Sequence, residues 1–129
     1  MAAIGTVVAA IGGTPINSIQ KNTLKDLNII GNVLQAVGNG LEADGQEELS
    51  LETIGNELQA VGNVTVVSGL IVNFEDVTKQ KLVITGNWIQ ALGGFTALGD
   101  EVSDVTDADD LYLIAGNLLQ GIGLSLIHI

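Results

Sequence analysis

The chain has no cysteine and no arginine, and it holds only four lysines, one proline, one histidine and 3% aromatic residues. Without cysteine there is no disulfide framework, no thiolate metal site and no cysteine nucleophile. Four lysines against fifteen acidic residues leave a formal charge of −11, which excludes the basic surface that a nucleic-acid backbone requires. The same balance disfavours electrostatic docking on anionic lipid. No basic segment precedes the first apolar run, the first charge being Lys21. With Met1 as the start there is therefore no conventional export signal; a cytoplasmic location is expected, with membrane association as the alternative. Phosphate-binding glycine motifs are missing as well, because neither a Lys-Ser/Thr pair after a glycine loop nor a G-x-G-x-x-G between strand and helix occurs.

What the chain does have is 47% hydrophobic residues and seventeen glycines in 129 positions. That is material for one domain, 1–129, packed with Ile, Leu, Val and Ala and with close backbone approaches. One pattern recurs along it. Residues 30–39 read IGNVLQAVGN, 54–63 read IGNELQAVGN, 85–94 read TGNWIQALGG and 115–124 read AGNLLQGIGL, while 4–13, IGTVVAAIGG, keep only the apolar positions and the glycines. Copies spaced like these mark stacked supersecondary units, here about 4–20, 23–43, 46–72, 75–98 and 107–123.

Each unit reads as a helix and a turn. A helix from Ala2 ends at Gly12 and Gly13, and Pro15 opens a short second helix over 16–20. Thr23 and Asp26 form a capping-box-like start for a helix over 24–41, which Asp44-Gly45 breaks. The next unit runs from Gln46, with Glu47, Glu48 and Glu52 near its positive end. Its β-branched stretch 64–67 could be extended, but the spacing of Ser68 and Gly69 favours helix. Asn73 is the expected N-cap of a helix over 75–98 that carries Trp88, a core or interface residue, and that Gly99 ends. An acidic loop over 100–110 leads into the last unit. The fold class is therefore all-α, an antiparallel helical repeat bundle of four to five helices.

At about 100° per residue, Gly31, Gln35 and Gly38 fall on one line of their helix. So do Gly55, Gln59 and Gly62, then Gly86, Gln90 and Gly93, and in the last copy Gly116, Gln120 and Gly123. Two glycines a heptad apart admit a neighbouring helix, as small-residue interfaces do. The glutamine between them becomes buried and must be paired, since an unpaired buried amide costs on the order of a few kcal/mol. Gln35, Gln59, Gln90 and Gln120 are expected to pair across units and fix their register. Ile30, Val33, Leu34 and Val37 form the adjoining apolar stripe.

The motifs over 4–15 (IGTVVAAIGGTP), 27–36 (LNIIGNVLQA) and 78–82 (TKQKL) leading into Gly86-Asn87 resemble those of a family of short, repetitive, uncharacterised proteins from Bacillus-type Gram-positive bacteria. The resemblance covers nearly the whole chain and implies no activity, catalytic residue or cofactor. It also implies further residues before the first motif and further repeats after the last. The tail 124–129, LSLIHI, is what the transposase adapter CTGTCTCTTATACACATC encodes in frame, so adapter-derived sequence is expected there and His128 carries no functional weight.

No catalytic, cofactor or metal residue emerges. The acidic group Asp100, Glu101, Asp104, Asp107, Asp109 and Asp110 lacks EF-hand spacing and reads as a solvated loop. Asn63-Val64-Thr65 matches a glycosylation sequon but lies within a repeat. Uncharged stretches over 1–20, 58–74, 82–99 and 111–129 approach the roughly 20 residues of a bilayer span, yet carry central amides and no consistent basic flank. The sequence thus points to a non-enzymatic, structural or self-associating helical repeat protein that forms homo-oligomers. A membrane-active bundle, pore-forming or surface-inserting, is the alternative, and a binder using amides in an inter-helix cleft is a third reading.

Overall fold

A computed structural model of the chain describes residues 1–103. The copy with Gly116, Gln120 and Gly123, the acidic residues from Asp104 to Asp110 and the tail 124–129 lie outside the described residues. Within them the chain is all-α, with four helices: α1 (Ala2–Gly13), α2 (Lys21–Asp44), α3 (Leu51–Ile71) and α4 (Asp76–Ser103). Each packs on the next in order, α1 on α2, α2 on α3 and α3 on α4.

Glycine dictates this packing by removing bulk, not by turning the chain. Among the described residues no glycine has a positive φ, so none forms the left-handed C-cap that commonly ends helices. This explains why α4 runs through Gly99 to Ser103, beyond its expected end at 98: Gly99 stays helical. The β-branched stretch 64–67 is helical within α3.

Three boundaries differ from the sequence reading. Residues 16–20 form no helix but a turn, Ile19 N–H donating to Ile16 O at 3.1 Å, because α1 and α2 must reverse direction within this short link. Gln20, extended at φ −63° and ψ 140°, is the N-cap of α2; Thr23 lies inside the helix, and Leu24 N–H already bonds Gln20 O. α3 starts at Leu51, not in the Gln46 region. Ser50 caps it by accepting from Thr53 N–H at 3.0 Å, and the Thr53 hydroxyl oxygen accepts from Ser50 N–H at 3.4 Å, a reciprocal capping box with Thr in the place of the usual Glu. Likewise α4 follows Glu75, not Asn73.

α1 and α2 run antiparallel in backbone contact, and α3 and α4 do the same. A Cβ on Gly62 would lie 2.6 Å from Gly86 O and one on Gly86 would lie 2.6 Å from Gly62 O; Gly55 and Gly93 face each other in the same reciprocal way. In the first hairpin a Cβ on Gly5 would meet Gly31 O at 2.6 Å and the Gln35 side chain, and one on Gly38 would meet Ala2 N at 2.5 Å. Gly5 thus occupies the place of Gly62, and Gly12, against Asn28 and Leu24, that of Gly69, against Leu82, Lys79 and Val83. The two hairpins are one motif, but α1 sits a heptad along from the register that its sequence match to 30–39 suggests. A repeat with glycine every seven residues can slide by one heptad and still find a glycine.

Candidate functional site

The interior is made of amides. The buried apolar side chains among the described residues are Leu24, Ala43, Val66, Ala91 and Ala97. The buried polar ones are Asn32, Gln35, Asn39, Thr53, Asn56, Gln59, Asn63, Asn87 and Gln90, with Gln35 2% exposed and Gln90 and Asn63 fully enclosed. Where glycines let two backbones touch, only flat or small side chains fit between them, and the branched residues are turned outward. The expected core of Ile, Leu and Val is therefore a correction: Ile30, Val33 and Val37 of the α2 stripe are exposed.

The same inversion holds on every helix. Ile4, Val7 and Ile11 on α1, Ile30, Val33, Val37 and Leu41 on α2, Val61, Val64 and Ile71 on α3, and Ile84, Trp88, Leu92 and Phe95 on α4 all face outward. Trp88, expected as a core or interface residue, is not in the core but 55% exposed, because Gly86, Asn87, Gln90 and Ala91 take the inward arc of α4.

Among the buried amides, Gln90 Nε2 donates to Asn32 Oδ1 at 3.3 Å, joining α4 to α2. Gln35 Oε1 accepts from the Thr6 hydroxyl at 3.2 Å, a hydrogen shared with Ala2 O at 3.1 Å. Two of the asparagines that follow repeat glycines, Asn32 and Asn63, bond backward along their own helix. Asn63 Nδ2 donates to Gln59 O at 2.8 Å, and Asn32 Nδ2 donates to Asn28 O at 2.8 Å and Asn28 Oδ1 at 2.7 Å. This i to i−4 bond lets a short amide sit in a helix interior without competing for the helix's own donors. Asn39 Nδ2, Asn63 Oδ1 and Gln90 Oε1 are buried without a hydrogen-bond partner.

The structure thus places Gly31, Gly38, Gly55, Gly62, Gly86 and Gly93 in helix contacts and encloses Gln35, Gln59 and Gln90. The members missed by sequence reasoning are Thr6 and the asparagines, Asn32 above all; the recurring Gly-Asn pair was the available signal. Asn63, the residue that the sequon 63–65 would modify, is fully buried.

Of the acidic cluster, Asp100 lies in α4, and its Oδ2 accepts from Glu52 N–H at 3.1 Å. It neutralises a free donor in the first turn of α3 and is not part of a solvated loop. No group of three or more His, Cys, Asp or Glu that could hold a metal occurs among the described residues.

Charge is segregated along the helices. All four lysines, Lys21, Lys25, Lys79 and Lys81, lie in the opening turns of α2 and α4, while Glu42, Asp44, Glu47, Glu48, Glu52 and Asp100 gather at the opposite end. The middles of α2 and α4 carry no charge. No described helix is long and apolar enough to cross a membrane.

A sequence profile built from one family matches the chain over residues 1–129. The chain belongs to DUF6944, a family of unknown function. No curated protein and no solved structure matches it. For this DUF6944 chain the features that could act are therefore those of its own geometry: an amide and glycine seam inside, apolar stripes outside, and a lysine-bearing end.

Proposed function

We propose that this DUF6944 chain is a non-enzymatic structural module that self-associates through its outer apolar stripes. The observation that supports this is the inversion: amides and glycines enclosed, branched and aromatic residues outside on all four helices. Burial of each such side chain is worth about 1.5–3 kcal/mol, so stripes such as Ile30, Val33, Val37 and Leu41 favour any partner that covers them. A second copy suits the stripes because the chain already docks helix on helix three times and the stripes of α1 and α2 carry no charge. Charges at the ends, summing to −11 over the chain, then oppose assembly over long range and are screened by salt.

The test is light scattering coupled to size-exclusion chromatography in detergent-free buffer. Wild type should elute as an oligomer whose mass increases with salt, and Val33→Lys/Val37→Lys should shift it towards the monomer with an unchanged helical spectrum. A monomeric wild type across concentration and salt refutes self-association.

One observation favours a second reading, a helical bundle that inserts at a bilayer surface: the middles of α2 and α4 are uncharged, although no described helix is long and apolar enough to cross a membrane. In lipid an amide-paired interior and an apolar exterior are the stable arrangement. Wild type that partitions to membranes and needs detergent for extraction supports this reading against the first.

A further inference from the structure

One end of the bundle holds a groove. It is lined by Gly69 and Leu70 from the end of α3, by Lys79, Gln80, Val83 and Ile84 of α4 and by Lys25 of α2, and its volume is about 350 Å³. Two further hollows adjoin it, one of about 340 Å³ reaching Lys21 and Pro15, the other of about 460 Å³ reaching Asp26 and Ile71, and both share Lys25 and Leu70 with it.

All four lysines of a chain with charge −11 are gathered at this end, together with Asp26, Glu75 and Asp76. Among the described residues Lys79 is the only lysine in an ion pair, 3.7 Å from Asp76, whose side chain is 96% exposed. Lys25 has none. α2 opens on Lys21 with no acidic residue in its first turn, the reverse of what a helix dipole favours. Lys21 and Lys25 therefore serve neither an ion pair among the described residues nor the stability of α2, and an apolar groove lined by two lysines matches one ligand chemistry.

We propose that this groove binds an anionic amphiphile, its carboxylate or phosphate between Lys25 and Lys79 and its alkyl chain along Leu70, Val83 and Ile84. The size falls within the range of small-molecule sites, which combine apolar lining with a few placed polar groups. The site shares Ile84 with the outer stripe of α4, but Lys25 and Lys79 lie outside the stripes, so replacing them tests it separately from self-association. The head group comes either from a free fatty acid or from a bilayer lipid.

The test titrates the full-length chain by calorimetry with decanoate, with decanol, and with vesicles of phosphatidylglycerol or phosphatidylcholine. Decanoate is expected to bind and decanol to bind at least about tenfold more weakly, since hydrogen bonds to charged groups contribute about 1.5–3 kcal/mol. Lys25→Gln/Lys79→Gln should lose about the same factor, while Lys81→Gln, outside the groove, keeps wild-type affinity. Binding to decanoate identifies a free acid as the source; binding only to phosphatidylglycerol vesicles, lost in the double variant, identifies lipid. Equal affinity for decanoate and decanol, equal binding by the double variant, or no binding to any of the four overturns the proposal. Exposed Lys25 and half-exposed Lys79 are replaced without touching the packed seam, and a far-UV spectrum matching wild type confirms that the variants are folded.

Discussion

Replacing glycine by alanine tests the inverted interior most directly, because the same chemical change should have opposite signs at two helical sites. At Gly40 in α2 nothing lies within 4 Å of an added Cβ. There alanine only restricts the unfolded chain and favours helix, so Gly40→Ala should stabilise by about 0.5–1 kcal/mol. At Gly62 the Cβ would lie 2.6 Å from Gly86 O, 2.7 Å from Gln90 Cγ and 2.8 Å from Gln90 N. Ordinary contact begins near 3.4 Å, and two of these three atoms are backbone. The helices must therefore separate by several tenths of an ångström, which loosens the neighbouring Gly55–Gly93 contact on the same seam. Overpacking of this kind costs about 1–3 kcal/mol and outweighs the helix preference of about 1 kcal/mol. With two backbone atoms in the clash the cost falls in the upper part of that range, about 2–3 kcal/mol, so Gly62→Ala should end about 1–2 kcal/mol below wild type. The difference between the two variants is then about 1.5–3 kcal/mol, several degrees in melting temperature for a chain of this size. Urea unfolding followed by far-UV circular dichroism, at one fixed protein concentration, measures it. If Gly62→Ala is as stable as wild type or follows Gly40→Ala, the α3–α4 seam is not a backbone contact and the packing described here is wrong.

Other variants probe separate links. Gln90→Leu leaves Asn32 Oδ1 without its donor and should cost about 1–3 kcal/mol, whereas Gln90→Leu/Asn32→Leu should recover part of that loss; a double-mutant cycle with coupling near zero would show that the amide pair does not tie α4 to α2. Ser50→Ala removes the acceptor of the capping box and should lower stability by about 1 kcal/mol in the same urea experiment; an unchanged midpoint would remove Ser50 as the start signal of α3. Asp100→Ala takes away the acceptor for Glu52 N–H, with an expected loss of about 0.5–2 kcal/mol, and amide exchange at Glu52 should accelerate; unchanged exchange there would rule out the cap from α4.

Reading order from sequence to structure, the repeat was legible where local physics decides. Helix was legible because the apolar positions recur at 3–4 residue spacing, and the glycine lines were legible because only positions a heptad apart share a face. The helix starts were less so. Thr23 looks like a cap and is interior, while Ser50 does cap, since which polar residue leaves the helix depends on where the preceding link allows the chain to turn. Gly99 looked like a stop because glycine often is one, but that role needs a positive φ, which Gly99 does not have.

The sequence by itself determined that the chain is helical, repetitive, uncharged along the middles of its longest helices, and built on glycine lines. Periodicity, spacing and composition are local properties and can be read one helix at a time. Only the tertiary structure decided which side of each helix is inside. Gln35 and Val37 lie on different faces of one helix, and nothing local says which face meets a neighbour. The answer followed from backbone contact across the seam, where Gly62 and Gly86 leave no room for a branched side chain, so amides went in and Val37 and Trp88 went out. The meeting of Lys25 and Lys79 at one groove was likewise invisible along the sequence, because it requires α2, α3 and α4 to be folded together.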